Sequence, residues 1–563
     1  MSDVIQAYER WLNDPIVDDT TKAELRAISE QPKEIEDRFF RELEFGTGGM
    51  RGVMGAGTNR LNKYTIGRAT QGLANYVLAS SKGQASVVIA HDSRNNSPEF
   101  ALEAALVLAG NGITAYVFEG LRPTPELSFA VRHLNADSGI VITASHNPPE
   151  YNGYKVYGND GCQYVPEFAE QIIAEISGVT SFDQVQKLTQ VEAEASGKLV
   201  WIGSDVDQAY VNAVTAQSLN SELIKSMANP LKIVFTPLHG TGNLPVRACL
   251  ADIGFENVEI VAEQEAPNGN FPTVKSPNPE EREAFTLAIA QAKTSDADLI
   301  IGTDPDADRI GAVVKDQSGE YVVLTGNQTG AILIEYLLSQ YQQRGQLPAN
   351  GVVIKTIVTS EMGAIVAQHY GCEVMSTLTG FKYIGEKIRQ FEQTGSHTYL
   401  FGYEESYGYL AGTYARDKDA VAAAMLIAEA AAFYKAQNRT LYDVLVSLYE
   451  QHGFFLEHLE SRTLKGKDGL EQIRAIMNNW RAAAPSEING IAITTMKDYA
   501  PGIDGLPAEN VLKFFLADGS WFCLRPSGTE PKIKVYFAVC GNSQEDAKLR
   551  VQQLTQAVMS RVD

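Results

Sequence analysis

The chain has little of what builds disulfide or thiolate scaffolds. Its five cysteines, Cys162, Cys249, Cys372, Cys523 and Cys540, are spread over 563 residues. Their number is odd and no CxxC occurs, which argues against a disulfide framework and for free thiols in a reducing compartment. Only eight histidines are present, without paired ligand spacing, so a histidine-rich metal centre is not expected. Positive charge is in deficit: 47 Lys and Arg against 69 Asp and Glu, a formal net charge of -22. That excludes nucleic acid and anionic membrane surfaces as expected partners, since both need a positive footprint. A small anionic substrate stays compatible, because one pocket can be basic on an acidic surface. Long apolar runs are missing as well. The most apolar helical stretch, Ala420 to Tyr434, is short, alanine-rich and interrupted by Glu429, which reads as a core helix and not a membrane span. Met1-Ser2-Asp3-Val4 lacks a basic region followed by an apolar one, so a cytoplasmic location is expected.

What is present is a repeated alternation of strands and helices. The length exceeds one hydrophobic core, so several domains are required. After a helical, amphipathic segment up to about residue 40, strands are expected at Ala85 to Ala90, Ile113 to Phe118 and Ser138 to Ile142. Helices open at Ser97-Pro98-Glu99 and Thr124-Pro125-Glu126, with cap, proline and first-turn acid in order. The alternation restarts at Leu231 to Phe235, with Asn278-Pro279-Glu280-Glu281 expected to cap a helix, and again at Gly351 to Ile354. From about residue 450 the strands Asn510 to Leu516, Trp521 to Leu524 and Lys534 to Val539 have short connections that favour antiparallel pairing. The expected fold is α/β: three consecutive mixed, mostly parallel α/β domains plus a smaller C-terminal α+β domain, arranged around one central cleft. The expected boundaries are 1–205, 206–325, 326–450 and 451–563.

Five stretches carry chemistry. Phe45 to Gly52 is a glycine-rich loop with one arginine, Arg51, suited to bring backbone N–H groups and a guanidinium fork to a phosphate. Thr143-Ala144-Ser145-His146-Asn147-Pro148-Pro149 follows an apolar strand, so Ser145 sits at a strand's carboxyl end, where α/β sheets bind ligands. His146 adjoins it and Lys155 lies ten residues on. Gly302-Thr303-Asp304-Pro305-Asp306-Ala307-Asp308-Arg309 places three carboxylates at alternate positions; in an extended segment they point one way. Such convergence is costly without a cation, and all-oxygen ligation favours Mg²⁺ over Zn²⁺. Glu404 and Ser406, in Phe401 to Gly408, suit paired sugar hydroxyls. Arg525, Ser527, Gly528 and Thr529, in Leu524 to Lys532, form a donor-rich nest for a phosphate monoester.

With TASHNP and DPDADR in this order and spacing, the chain resembles the α-D-phosphohexomutases over essentially its whole length. GYEESYGY and Thr379-Gly380-Phe381-Lys382 are similar to the phosphoglucomutase-2 and phosphopentomutase branch, and differ from the GEMSG and TGHS patterns of bacterial phosphomannomutases. The resemblance implies a phosphoserine at Ser145 whose phosphate oxygen completes a Mg²⁺ shell with Asp304, Asp306 and Asp308. It implies Arg51 and Arg309 at the transferring group, Lys155 as general base with His146 its neighbour, and Lys355 and Lys382 lining the cleft. Glu404 and Ser406 would hold the sugar, and Arg525, Ser527, Gly528 and Thr529 its other phosphate. The reaction implied interconverts glucose 1-phosphate and glucose 6-phosphate, with a sugar 1,6-bisphosphate as intermediate and activator. Phosphopentomutase, phosphomannomutase and glucose-1,6-bisphosphate synthase are the alternatives.

Overall fold

The strand that delivers Ser145, β4 (Ser138–Ile142), is buried at every position. The computed structural model that shows this describes residues 2–46, 48–464, 466–527 and 532–562. β4 lies inside a six-stranded mixed sheet with β1 (Gly49–Val53), β2 (Ser86–His91), β3 (Thr114–Phe118), β5 (Tyr151–Gly158) and β6 (Leu199–Ile202), in the order β1-β5-β4-β2-β3-β6. Side chains alternate between the faces. Val87, Ile89, Ile140 and Ile142 pack with the helices Lys63–Ser80 and Ser97–Gly110, whereas Val88, Ala90 and Val141 pack with Leu127, Ala130 and Val131 of the helix Thr124–His133. Covering both faces is why β4 reads as a continuous apolar run.

β5 and β1 escape a sequence reading, because Tyr151–Gly158 and Gly49–Val53 are polar and glycine-bearing. β5 runs antiparallel to β4, pairing Lys155 with Val141. β1 then pairs with β5, Gly49 facing Lys155. Gly49 is required there: its φ is +132°, and a Cβ would come within 1.9 Å of the Tyr154 carbonyl oxygen. Ahead of this sheet, the helices Ser2–Asn13, Asp19–Ala27 and Pro32–Phe39 form a small core from Tyr8, Trp11, Leu25, Ile35 and Phe39 against Tyr64.

The second sheet has the order β11-β10-β9-β7-β8, from β7 (Ile233–Thr236), β8 (Val258–Ile260), β9 (Leu299–Thr303), β10 (Ile310–Lys315) and β11 (Tyr321–Val323). β7 is parallel to β8 and β9, while β10 returns antiparallel to β9. The expected helix start at Asn278 is displaced. Asn278 Oδ1 instead accepts from the Glu280 N–H at 3.1 Å, a local turn, and the α-helix runs over Thr286–Ser295. The alanine-rich helix Ala420–Lys435 is a core element, and its buried Glu429 accepts from the Leu219 and Asn220 N–H groups at 2.7 and 3.1 Å. Among the described residues no helix is long and apolar enough to cross a membrane.

Two compact units result. The first holds residues 1–324, 384–396 and 406–438; the second holds 325–383, 397–405 and 439–563. In the second, β12 (Gly351–Thr356) pairs in parallel with β13 (Glu373–Thr377) and β14 (Thr398–Glu404). A strand β15 (Gly408–Ala411) follows in the first unit. The C-terminal sheet comprises β16 (Phe454–Thr463), β17 (Glu487–Ile488), β18 (Ile491–Asp498), β19 (Leu512–Leu516), β20 (Trp521–Pro526) and β21 (Lys532–Gly541). Its order is β16-β21-β20-β19-β18-β17, antiparallel throughout. The helices Gly466–Ala482 and Gln544–Met559 pack on it through Ile473, Trp480, Val551 and Leu554. This matches the α+β expectation.

Within the second unit, Lys513 of β19 is buried. Its Nζ donates to the Ile357 carbonyl at 2.6 Å, lies 3.7 Å from Glu361 and sits 3.9 Å from the Trp521 ring centroid. Burial, and then the neighbouring Lys355, push its ammonium from 10.5 down to about 7, against the pull of Glu361. In the window between those values the unfolded chain binds a proton that the folded chain does not, so this residue makes stability rise with pH. Chemical denaturation of wild type and Lys513→Met should therefore show the difference moving in favour of wild type between about pH 7 and about pH 9. A difference that stays constant across that range contradicts the assignment.

Candidate active site

Three carboxylates are forced together by a turn and not by strand alternation. Residues 304–308 leave β9, Ala307 takes φ 50°, and the Asp308 and Arg309 N–H groups donate to Asp304 Oδ1 at 3.1 and 2.9 Å. The expectation of an extended segment is therefore corrected: the left-handed residue folds the chain back and brings Asp304, Asp306 and Asp308 to one point. Their ligand oxygens lie within 4.8 Å of one another, and all three residues are buried. Like charges this close destabilise one another. Burial, and then Asp306 and Asp308, push the Asp304 carboxyl well above its ordinary range. Burial acts in the same direction on Asp306 and Asp308, but nearby lysines outweigh it and hold both below the usual range.

One of those lysines is Lys155 of β5, with Nζ 2.8 Å from Asp306 and 3.2 Å from Asp308. Burial opposes its charge, yet these aspartates raise its pKa. An ammonium held in two ion pairs is a poor proton acceptor, so the general-base role expected of Lys155 is at odds with its surroundings. The other lysine, Lys418, lies 2.9 Å from Asp308 and was missed by sequence reasoning. Its signal was the charged run Arg416-Asp417-Lys418-Asp419 directly before an apolar helix. Thr124 was missed too. It was read as part of a helix start, and its hydroxyl donates to Asp306 Oδ2 at 2.9 Å.

Ser145 is brought to this cluster from β4. Its Oγ donates to Asp304 Oδ2 at 2.6 Å and lies 3.1 Å from His146 Nδ1. Burial, and then Arg309 and Arg51, hold the His146 pKa well below its ordinary value, so its protonated form is disfavoured. Ser145 has φ 51°, and its N–H donates to Thr143 Oγ1 at 2.8 Å. Arg51 of β1 donates to Asn147 Oδ1 at 2.8 Å, beside the serine. Arg309 donates to Glu280 at 2.6 Å and to the Ser406 carbonyl at 3.2 Å. Ser145, His146, Lys155, Arg51, Arg309, the three aspartates and Ser406 thus belong to the first unit.

The remaining expected residues lie in the second unit. Glu404 ends β14 and accepts from the Gly380 N–H at 2.9 Å. Lys382 opens the helix Phe381–Thr394, its Nζ 5.2 Å from the Tyr383 ring. Lys355 is 2 % exposed, and its Nζ bonds the Thr359 carbonyl and Glu361, both at 3.0 Å. That places it as an internal anchor and not as the cleft-lining donor expected. Arg525 donates through Nε to Glu509 at 2.9 Å, and the Ser527 N–H bonds the Lys532 carbonyl at 2.7 Å. Gly528 and Thr529 lie outside the described residues.

The aspartate cluster fits a hard divalent cation. Asp306 Oδ1 and Asp308 Oδ1 are buried without a hydrogen-bond partner. The donors are all oxygen, the ligand type a hard cation prefers. A divalent probe such as Mn²⁺ at about a hundred times its Kd should stabilise the wild type by roughly 2.7 kcal/mol. Asp306→Asn/Asp308→Asn should show no such gain in the same thermal titration. Equal stabilisation of both proteins places the cation elsewhere.

Known proteins share this architecture. The description "Phosphoglucomutase/phosphomannomutase, alpha/beta/alpha domain I" matches residues 42–182; the corresponding domain II matches 208–319, domain III 325–452 and the C-terminal domain 462–555. A phosphoglucomutase of Staphylococcus haemolyticus is 39% identical over 520 residues, covering 90% of this chain and 91% of that protein. One from Staphylococcus aureus (strain USA300) is 39% identical over 536 residues, covering 92% and 94%. Among solved structures, the phosphoglucomutase parafusin of Paramecium, in an open form, has a TM-score of 0.72 at 16% identity, covering 92% of this chain and 95% of its own. A putative phosphomannomutase of Thermus thermophilus has 0.68 at 23%, covering 93% and 99%. At those identities the structures speak for the fold.

Proposed function

The chain belongs to the phosphoglucomutase/phosphomannomutase family, and on that premise we propose that it interconverts glucose 1-phosphate and glucose 6-phosphate through a phosphorylated Ser145. The observation that carries this reading is the Ser145 hydroxyl, 2.6 Å from Asp304 at the edge of a buried three-aspartate turn. A hydroxyl against a cation-ready carboxylate cluster suits phosphoryl transfer, where positioning and charge neutralisation outweigh acid–base power. The four stretches 1–205, 206–325, 326–450 and 451–563 are read as its domains. The cytoplasm is the compartment proposed.

A sugar hydroxyl oxygen attacks the phosphorus on Ser145, the Oγ–phosphorus bond breaks, and a sugar 1,6-bisphosphate forms. That bisphosphate turns over and returns its other phosphate to Ser145, so the enzyme regains its starting state. His146 Nδ1, 3.1 Å from Oγ, lies within hydrogen-bond reach of that atom. Asp304, Asp306 and Asp308 would hold Mg²⁺, which when bound neutralises charge on the transferring phosphoryl group. Lys155 and Lys418 hold the carboxylates in place and add positive charge. Arg51 and Arg309 steady the group in flight. Glu404 and Ser406 are each assigned to sugar hydroxyls, and Lys382 to the substrate. Arg525 and Ser527, with Gly528 and Thr529, are assigned to the phosphate that stays on the sugar.

Ser145→Ala should abolish glucose 6-phosphate formation from glucose 1-phosphate in a coupled dehydrogenase assay, with the unfolding temperature retained. Intact-mass measurement of purified wild type should find one phosphate that peptide mapping places on Ser145. Turnover that survives the substitution refutes the scheme. Comparing kcat/KM for glucose 1-phosphate and ribose 1-phosphate tests the sugar; a preference for ribose selects the phosphopentomutase alternative.

A further inference from the structure

Arg94 follows β2 in the turn His91-Asp92-Ser93-Arg94 and is 1% exposed. Its guanidinium reaches across to the loop that carries Ser145. Nη1 donates to the carbonyl oxygens of Pro148 and Tyr151 at 2.9 and 3.0 Å. Nη2 donates to that of Ser145 at 2.6 Å and also to that of Asn147. Nε lies 3.3 Å from Asp92 Oδ2. One face of the group rests on Phe271, 5.0 Å from the ring centroid, and Phe271 itself is buried. Asp92 completes the device: its Oδ2 accepts from Thr143 Oγ1 at 2.6 Å, and that oxygen accepts from the Ser145 N–H.

The loop needs such a clamp. Between β4 and β5 it contains two adjacent prolines and a serine at positive φ, so it makes few ladder bonds of its own. Buried carbonyls without partners are costly, and carbonyls converging on one point repel. A planar guanidinium with five fixed N–H donors can serve several of them at once, whereas an ammonium cannot match that geometry.

We propose that Arg94 is the positioning residue for the phosphoryl-carrying serine. It gathers the carbonyls of Ser145, Asn147, Pro148 and Tyr151 while its own face is braced by Phe271, so that Ser145 keeps the backbone conformation that aims its Oγ at Asp304. Its bonds go to the backbone and not to the reacting hydroxyl, so it acts through Ser145. The proposal rests on Ser145 as the phosphoryl carrier.

The test uses full-length wild type, Arg94→Lys and Arg94→Met. It reads kcat, KM, thermal unfolding and amide hydrogen exchange of segment 143–152. Arg94→Lys keeps a cation opposite Asp92 and should fold. Its kcat should fall about 100-fold, the order expected for misplacement by about 1 Å. Its KM should change by less than about threefold, because the sugar is held by other residues. Exchange in 143–152 should rise at least about tenfold while β2 and β9 stay protected, since only a local opening is affected. A kcat within about threefold of wild type overturns the proposal, as does exchange that rises equally throughout the chain. Arg94→Met should show the same pattern with a larger effect; if it does not fold, Arg94→Lys decides. Wild-type turnover and phosphate on Ser145 test the underlying reading separately. If those fail, exchange in 143–152 still reports whether Arg94 clamps the loop.

Discussion

Three carboxylates held within one short turn are the constraint on which the first unit depends. Apart from a cation, such a cluster survives only where the chain supplies compensating charge and a rigid frame. Each neighbour answers one of these needs. Lys155 and Lys418 bring positive charge from opposite directions in sequence, and Thr124 fixes one oxygen of Asp306. The loop after β7 braces the turn from below. Gly240 lies so close that a Cβ would meet the Pro305 Cα at 2.4 Å, and the Thr241 N–H bonds the Pro305 carbonyl at 2.8 Å. The serine then approaches a site whose shape is already set, which is what transfer by positioning demands.

Much of this was legible in the sequence. The apolar runs of β2, β3, β4, β7 and β9 announce buried parallel strands, and proline in the first turn marks the helices at 97 and 124. Ser97 and Thr124, however, stand inside those helices and not at the cap: the N-cap positions are Asn96 and Pro123, without a side-chain cap bond. Short-range signals found the serine, the aspartates and the arginines because each motif is contiguous. What stayed hidden depends on tertiary pairing. β5 mixes tyrosines, glycines, an asparagine and a lysine, so no plain apolar run marks it as a strand; yet its pairing with β4 is what carries Lys155 to the aspartates. Lys418 comes from far along the chain, and no local rule brings it to Asp308. The aspartate turn shows a different failure. Alternate spacing gave the right convergence for the wrong reason, since Ala307 at positive φ does what strand geometry was expected to do.

The second unit solves a related problem with opposite charges. Lys355 and Lys513 are both buried and both approach Glu361, at 3.0 and 3.7 Å. Burial and the neighbouring Lys355 disfavour the Lys513 charge, and the two amines are surrounded by one carboxylate, carbonyl oxygens and an aromatic face, at Glu361, Thr359, Ile357 and Trp521. This explains why Lys355 sits beneath the surface of its strand end. It also ties β19 to the loop after β12. Glu405 joins the same region through the hydroxyls of Thr356 and Thr359.

The left-handed backbone at position 145 has a consequence for which nucleophile evolution could place there. Threonine offers the same oxygen and differs by one methyl group. A positive φ costs any residue with a Cβ roughly 1–2 kcal/mol, and a β-branched one such as threonine, with χ1 further restricted, is a still rarer occupant there. Serine bears only the first of these costs. The peptide backbone thus weighs against exchanging one alcohol side chain for the other at the position proposed to carry the phosphoryl group.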